Sequence, residues 1–388
     1  MNTNFIYHVP TRIYFGDNQI QHLGSELKKY GQRVLLIYGG GTIKRIGLYD
    51  KIQAEIKKAG LECYEMPGVA PNPRHTTINR GAEICRKEKI DVLLAVGGGS
   101  VIDVAKFISP ATFYDGDAWD FFTKKAKMTQ FLPVVTIPTI SGTGSEMDAY
   151  GIAGNLDTEE KIALYHPQLM PKASFLDPTV TYSVNHYQTA CTGIDSLAHY
   201  LETYFMKPNL FMLESAMEGF MKTILKYLPV ALQKPTDYEA RSNLMWVSSW
   251  ALNGFTQGGT RQPYSAHRIA DELTAKYGLI HGLALAIVLP RFLSYTLNDK
   301  TAPLYKAFAC NVLGIDASLP DMDAAKAAIA KLEELFFKTC ELPNTLTALG
   351  VDDGKLGDMA EAICRGDVLK SYVDLTKDDI VKIYQMCL

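Results

Sequence analysis

The sequence predicts an N-terminal α/β domain followed by an all-helical domain. Three observations predict it. Short apolar segments ending in glycine-rich turns alternate with helical stretches through the first half. From about residue 186 the segments are long, apolar at helical spacing, and separated by short Pro or Gly breaks. The chain has 388 residues, enough for two or three domains with a large core.

Residues 34–38 (VLLIY) read as a buried strand that runs into Gly39, Gly40, Gly41 and Thr42. A helical stretch follows to Gly60, then a short strand near 61–65. Pro71-Asn72-Pro73 marks a turn before a helix of about 14 residues. Residues 91–96 (DVLLAV) form the next strand and end in Gly97, Gly98, Gly99 and Ser100. Another helix leads to a strand at 133–137 (PVVTI). This repetition predicts a parallel sheet with helices on both faces, where ligands bind at the carboxyl ends of the strands. Helices are expected at 214–227, 237–253, 266–277 and 324–337, and the last helix opens with a capping box, Thr376 with Asp379. The change of pattern sets the domains at 1–182 and 183–388. No repeat of roughly 20–50 residues is present, which removes a solenoid.

Composition narrows the function. Lys and Arg number 39, Asp and Glu 42, and the net charge is −3 without a long run of one sign, so no nucleic-acid partner is expected. Hydrophobic residues at 47% and charged residues at 21% are a globular balance. The N-terminus, MNTNFIYHVPTRIYF, lacks the basic and apolar regions of a signal peptide. No run of about 18 apolar residues occurs, so no membrane span is expected. The seven cysteines are scattered without a CxxC pair, which suits a reducing cytoplasm.

Two neighbouring strands end in three glycines and a hydroxyl residue: Gly39, Gly40, Gly41, Thr42 and Gly97, Gly98, Gly99, Ser100. Bare backbone N–H groups there approach an anion, and the following helix N-terminus favours negative charge. One such turn is as often structural; two point to a diphosphate ligand. The usual dinucleotide fingerprint is incomplete, since Lys44 stands where its third glycine belongs, and no GxxxxGK[ST] loop is present. The first turn carries no acid, while Thr42 and Lys44 suit a 2′-phosphate. That tilts the cofactor towards NADP over NAD, although Lys44 also reads as a solvated helix residue.

Among eight histidines, three stand out. Asp195 and His199 are i, i+4 on one helix face, so both side chains converge. His267 opens an apolar-faced helix, and His281 starts the next one. One carboxylate and three imidazoles make a ligand set for Zn(II) or Fe(II). The plain alternative is a surface ion pair and isolated buried histidines, and spacing alone leaves both open. His8, His22 and His75 read as surface or loop residues. No Gly-x-Ser-x-Gly elbow supports an esterase nucleophile.

These residues together resemble the iron-containing (group III) alcohol dehydrogenases, in particular their butanol dehydrogenase and broad-range aldehyde reductase branch. The matching stretches include YGGGTIKRIG (38–47), GVAPNPR (68–74), VGGGSVIDVAKFI (96–108), PTISGTGSEM (138–147), GIDSLAHYLETY (193–204) and HRIADELTAKYGLIHG (267–282). The resemblance implies a Rossmann-like dinucleotide-binding domain, an all-α metal-binding domain and an active site in the cleft between them. It implies Asp195, His199, His267 and His281 as ligands of Fe(II) or Zn(II). It places the pyrophosphate on Gly98, Gly99 and Ser100 with Asp103 in the helix behind, and the ribose phosphate on Gly39–Thr42. Asn72 falls on the adenosine side, Thr139 and Lys161 at the nicotinamide end; Lys161 alone would read as a strand-edge lysine. A homodimer is the expected assembly.

Three positions depart from the family pattern. Asp271 stands where many members carry a histidine one turn after the third ligand, and becomes a candidate tuning or proton-relay residue. Asp148, near the cofactor, replaces an Asn of close relatives. Val184-Asn185-His186 replaces a Leu-Pro sequence at the hinge. The expected activity is a metal-dependent, NAD(P)H-linked alcohol dehydrogenase or aldehyde reductase acting on small aliphatic substrates such as butanol and butanal. A glycerol or polyol dehydrogenase is one alternative, but Phe255 to Tyr264, with Trp246 and Trp250, is apolar and aromatic. A lyase of the dehydroquinate synthase type is another; it needs basic residues, and only Arg261 and Arg268 lie close to the ligands in sequence.

Overall fold

The computed structural model describes residues 4–207, 209–259 and 264–388. In chain order the elements are β1 (Arg12–Phe15), α1 (Leu23–Leu27), β2 (Arg33–Tyr38), α2 (Thr42–Arg45), α3 (Leu48–Lys58), β3 (Glu62–Met66), α4 (His75–Glu88), β4 (Val92–Gly97), α5 (Gly99–Ala111), α6 (Trp119–Phe122), β5 (Val134–Pro138), β6 (Tyr150–Asn155), β7 (Glu160–Tyr165) and β8 (Ala173–Leu176). There follow α7 (His186–Phe205), α8 (Phe211–Gln233), α9 (Tyr238–Ser249), α10 (Ser265–Tyr277), α11 (His281–Thr296), α12 (Ala302–Asn311), α13 (Asp321–Glu333), α14 (Leu356–Cys364) and α15 (Lys377–Cys387). The chain divides into two compact units. One is Tyr7–Val184 with Thr236–Asn253; the other is Asn185–Pro235 and Gly254–Leu388 with the first residues of the chain.

The first unit is a six-stranded sheet in the order β1-β8-β5-β4-β2-β3, with every pair parallel. After Arg33, β2 is buried at every position, as is all of β4, because both their faces are covered. Leu35, Ile37, Leu93 and Ala95 point to one face, where α4, α5 and α6 pack. Val34, Leu36, Val92 and Leu94 point to the other, under α1 and α3. The helical stretch expected up to Gly60 is two helices. Gly47 sits at φ 71° between them and breaks the run. The hairpin β6–β7 is antiparallel and separate from the main sheet.

α9 follows two helices of the second unit in sequence, yet it belongs to the α/β unit. Ser249 donates to the buried Glu146 carboxylate, and the carbonyl of Ser248 lies against Gly144. A Cβ at Gly144 would meet that carbonyl oxygen at 2.8 Å. His75, expected on a loop or surface, is a buried residue of α4 whose Nδ1 lies 3.0 Å from Asp117 Oδ1.

α1 is anchored by a buried carboxylate. Glu26 accepts from Tyr14 at 2.7 Å, Tyr30 at 2.8 Å and Arg12 at 3.0 Å, and pairs with Lys29. Burial alone would raise its pKa, but these donors outweigh burial and bring it down to about 2 from an ordinary 4.5. A depressed carboxyl stabilises the fold above its unfolded value and loses that contribution as pH falls through the folded value. Arg12 and Lys29 are half-exposed, so the contribution is about 2 kcal/mol. Glu26→Gln should be destabilised by that amount at neutral pH, and the gap to the wild type should close between about pH 4.5 and pH 2. Denaturant unfolding of both proteins across that range checks it; a gap independent of pH would refute it.

The second unit is helical in its described residues. α7 and α11 pack together and are largely buried: 16 of the 20 residues of α7 and 12 of the 16 of α11. Asn185 caps α7 by accepting from Gln188 N at 2.8 Å. Gly282 allows the two helices to touch, since a Cβ there would lie 2.2 Å from the carbonyl oxygen of Cys191. The helices expected at 214–227 and 237–253 are Phe211–Gln233 and Tyr238–Ser249, and the capping box of α15 is present. α13 continues as a π-turn over Glu334–Thr339.

Candidate metal centre and dinucleotide turns

α7 carries Asp195 and His199 one turn apart on a buried face. α10 supplies His267 in its first turn, and α11 begins at His281. The packing of these helices brings all four residues together. The Nε2 atoms of His199, His267 and His281 lie 3.6, 3.5 and 3.5 Å from a single atom, Asp195 Oδ1. Donor atoms of Asp195, His267 and His281 are all within 4.8 Å of one another. His199 joins them by stacking on His267, with ring centroids 4.1 Å apart.

Two donors bonded at about 2.1 Å to one tetrahedral ion sit about 3.4 Å apart, close to these separations. Asp195 Oδ1 and His267 Nε2 are buried and have no hydrogen-bond partner. Buried polar atoms without partners are costly, and a shared cation satisfies both. The donor set, one carboxylate and three imidazoles, fits Zn(II) or Fe(II).

Electrostatics agree. Burial opposes ionisation of Asp195, yet His199, His267 and His281 hold its carboxyl well below the usual range. Burial, then His267, pushes His199 down to about 3, so its ring is neutral. At His267 burial also disfavours charge, but Glu202 and Asp195 outweigh it and push the ring up to about 10. An anionic carboxylate and neutral imidazoles are the states a cation binds, and His267 releases its proton when it does.

Two carboxylates stand behind the imidazoles. Glu202 contacts His267 Nδ1, and it also accepts from Ala266 N at 2.8 Å and His267 N at 3.3 Å. Sequence reasoning missed Glu202; the available signal was its spacing, i+7 from Asp195 and i+3 from His199 on one helix. Asp271 lies one turn after His267, and its Oδ1 is 3.4 Å from His281 Nδ1, the ring nitrogen facing away from Asp195. Tyr264 sets its ring edge-on to both His199 and His267, with centroids at 5.7 and 5.6 Å. Arg268 donates to the carbonyl of Ile363 at 2.5 Å. Arg261 lies outside the described residues.

The α/β unit holds the glycine turns at the carboxyl ends of β2 and β4. Gly41 adopts φ 95°, and a Cβ at Gly40 or Gly41 would meet nothing within 4 Å, so backbone there faces open space. At Gly99 a Cβ would lie 2.7 Å from the Thr143 side chain, so the turn closes only over glycine. Gly98 caps α5, which Gly99 and Ser100 begin. Asn72 sits at φ 58° in the turn before α4. Thr139 follows β5 and its N–H donates to Gly97 O at 3.0 Å, tying the end of β5 to that of β4. Thr42 Oγ1 accepts from Arg45 at 3.3 Å. Lys44 Nζ lies over the rings of Tyr49 and Tyr38 at 4.6 and 5.4 Å.

Asp103 lies on α5 one turn after Gly99, and Asp148 is buried just before β6. Asp103 accepts from Ser145 Oγ at 2.6 Å and Ile152 N at 3.1 Å. Asp148 Oδ1 accepts from the fully buried Lys106 at 2.7 Å. Lys161 lies on β7, paired in register with Gly154 of β6.

Comparison with known proteins agrees with both units. The family pattern described as iron-containing alcohol dehydrogenase matches residues 10–178, and its C-terminal counterpart matches residues 189–388. The chain is 42% identical to NADH-dependent butanol dehydrogenase B of Clostridium acetobutylicum, over 98% of this chain and 99% of that one. It is 33% identical to the NADPH-dependent aldehyde reductase YqhD of Escherichia coli, over 98% and 99%. The crystal structure of NADH-dependent butanol dehydrogenase A from Thermotoga maritima superposes with a TM-score of 0.93 at 34% identity, covering 99% of this chain and 98% of that one. Two family patterns that together span nearly the whole chain, and relatives above 30% identity along its full length, give one answer: the chain belongs to the iron-containing alcohol dehydrogenase family.

Proposed function

We propose that this alcohol oxidoreductase interconverts small aliphatic aldehydes and alcohols, butanal and butanol among them, and uses NADPH in preference to NADH. Asp195, His199, His267 and His281 hold one divalent metal, Fe(II) or Zn(II). Residues 1–182 serve the dinucleotide, and residues 183–388 serve metal and substrate. The observation that carries this reading is the convergence of three imidazole Nε2 atoms on one carboxylate oxygen at 3.5–3.6 Å. When bound, the metal polarises the substrate oxygen and the nicotinamide exchanges the hydride.

The chain's own residues orient and enclose. Asp195 supplies the one negative charge among the four donors. Asp271 stands behind His281 and tunes it. The edges of Tyr264 on His199 and His267 shield the site from water. Gly39, Gly40, Gly41 and Thr42 receive the adenosine phosphate with Arg45 beside Thr42, while Asn72 lines the adenosine. Gly98, Gly99 and Ser100 receive the pyrophosphate. Thr139 and Lys161 approach the nicotinamide, while Asp103 ties α5 to Ser145 and Ile152 and Asp148 holds Lys106. The absence of a carboxylate at 39–42 supports NADPH, because an acid there repels a 2′-phosphate.

A cytoplasmic homodimer completes the reading. All seven cysteines are free, and among the described residues no helix is long and apolar enough to cross a membrane. β1 is an edge strand, a surface that a second copy can cover. The test is oxidation of NADPH and NADH with butanal, glyceraldehyde and a phosphorylated sugar acid. Butanal with NADPH should give the highest kcat/KM. A preference for glyceraldehyde, or consumption of the sugar acid without net cofactor oxidation, would overturn it in favour of a polyol dehydrogenase or a lyase.

A further inference from the structure

The three imidazoles of the metal centre are not held alike. His199 Nδ1 is buried without a hydrogen-bond partner. Asp271 stands 3.4 Å behind His281, and its side chain is about a quarter exposed. His267 alone is gripped by a buried carboxylate. Glu202 contacts its Nδ1, and the same carboxylate caps the helix that carries it, through Ala266 N at 2.8 Å and His267 N at 3.3 Å. Glu202 is itself only 6% exposed. It lies two turns after Asp195 on α7, so one helix provides two ligands and the group behind a third.

We propose that Glu202 is a positioning residue for the metal centre, which fixes the ring of His267 with Nε2 turned towards Asp195. The inference rests on the four-ligand reading above. A neutral imidazole has one N–H and one lone pair. A carboxylate that accepts at Nδ1 leaves the lone pair on Nε2, the atom 3.5 Å from Asp195 Oδ1. Glu202 also holds the backbone of His267, so ring rotation and helix approach are set by one group. Carboxylates behind metal-bound histidines change metal affinity by roughly 10–100-fold when removed.

A helix cap alone would explain the backbone contacts and nothing more, so the test must separate the two roles. Metal-free full-length wild type, Glu202→Gln, Glu202→Ala and Asp195→Ala are titrated with Zn(II) and separately with Co(II), and the melting temperature of each metal-free protein is recorded. Glu202→Gln keeps an acceptor for one helix N–H but cannot serve all three contacts. Zn(II) affinity of the Glu202 variants should fall roughly 10–100-fold. The visible spectrum of the Co(II) protein should change, because His267 loses its fixed orientation. A lower melting temperature with Zn(II) affinity within twofold of wild type would reduce Glu202 to a helix cap and overturn the proposal. Should neither variant fold, the Co(II)-loaded wild type decides. A slowly exchanging, paramagnetically shifted ring N–H assigned to His267 is expected, and its absence overturns the proposal. If wild type and Asp195→Ala bind Zn(II) alike, the four-ligand reading itself fails. If Asp195→Ala alone loses it, only the role of Glu202 fails.

Discussion

Asp195→Ala should remove metal and turnover together. The Asp195 oxygen is the common neighbour of all three imidazoles, 3.5–3.6 Å from each Nε2, and it carries the only negative charge of the set. Without it three rings, two of them buried, face one another, and a divalent cation loses the ligand that neutralises half its charge. Metal assistance to a carbonyl amounts to several kcal/mol of charge stabilisation, so kcat/KM should fall at least about 10³-fold. The fold should persist, because α7, α10 and α11 are packed by their apolar residues. Metal content and kcat/KM, measured on the same preparation, check this. Full activity in metal-free Asp195→Ala would refute the site.

Lys106→Ala should be the most damaging single change in the α/β unit. Lys106 is fully buried on α5 and donates to Asp148 Oδ1 at 2.7 Å, Tyr150 O at 2.7 Å and Asp148 O at 3.0 Å. Burial pushes the Asp148 carboxyl up, against the pull of Lys106. Removing the lysine leaves a buried carboxylate with no countercharge, held only by the N–H of Tyr150 at 2.8 Å, and takes a charged donor from two carbonyls, at a cost of about 3–5 kcal/mol. The double change Lys106→Met with Asp148→Leu should recover much of that loss, since an apolar pair removes the unpaired charge. Urea unfolding of the three proteins decides. A single variant within about 1 kcal/mol of wild type, or a double variant no better than the single, would contradict the account of this pair.

The two cases show which features a sequence makes legible. β2, β4 and β5 are legible because strands covered on both faces are mostly apolar, and glycine turns follow β2 and β4. β1 (RIYF) and β8 (ASFL) were not read. Each has four residues, and β1 has two partly buried positions between exposed ends, with no period of two. α9 looked like one more helix of the second half. Its place in the α/β unit depends on Ser249 reaching Glu146, 103 residues earlier. Asp195 and His199 were legible from i, i+4 spacing, since helix geometry alone brings them together. His267 and His281 join Asp195 only through helix packing, which spacing cannot reveal. Spacing puts Glu202 on the helix face of Asp195 and His199, but its contacts are 64 and 65 residues away, and only packing reveals them. The resemblance places Asp148 near the cofactor; its burial against Lys106 has no signature in sequence.

The metal requirement is tested most directly by analysing protein purified without chelators for bound metal, stripping it, and restoring Fe(II) or Zn(II) while following NADPH oxidation with butanal. One divalent ion per chain is expected, with reduction lost on stripping and regained with either ion. Metal-free protein that still reduces butanal at the full rate would contradict a catalytic centre built on Asp195, His199, His267 and His281.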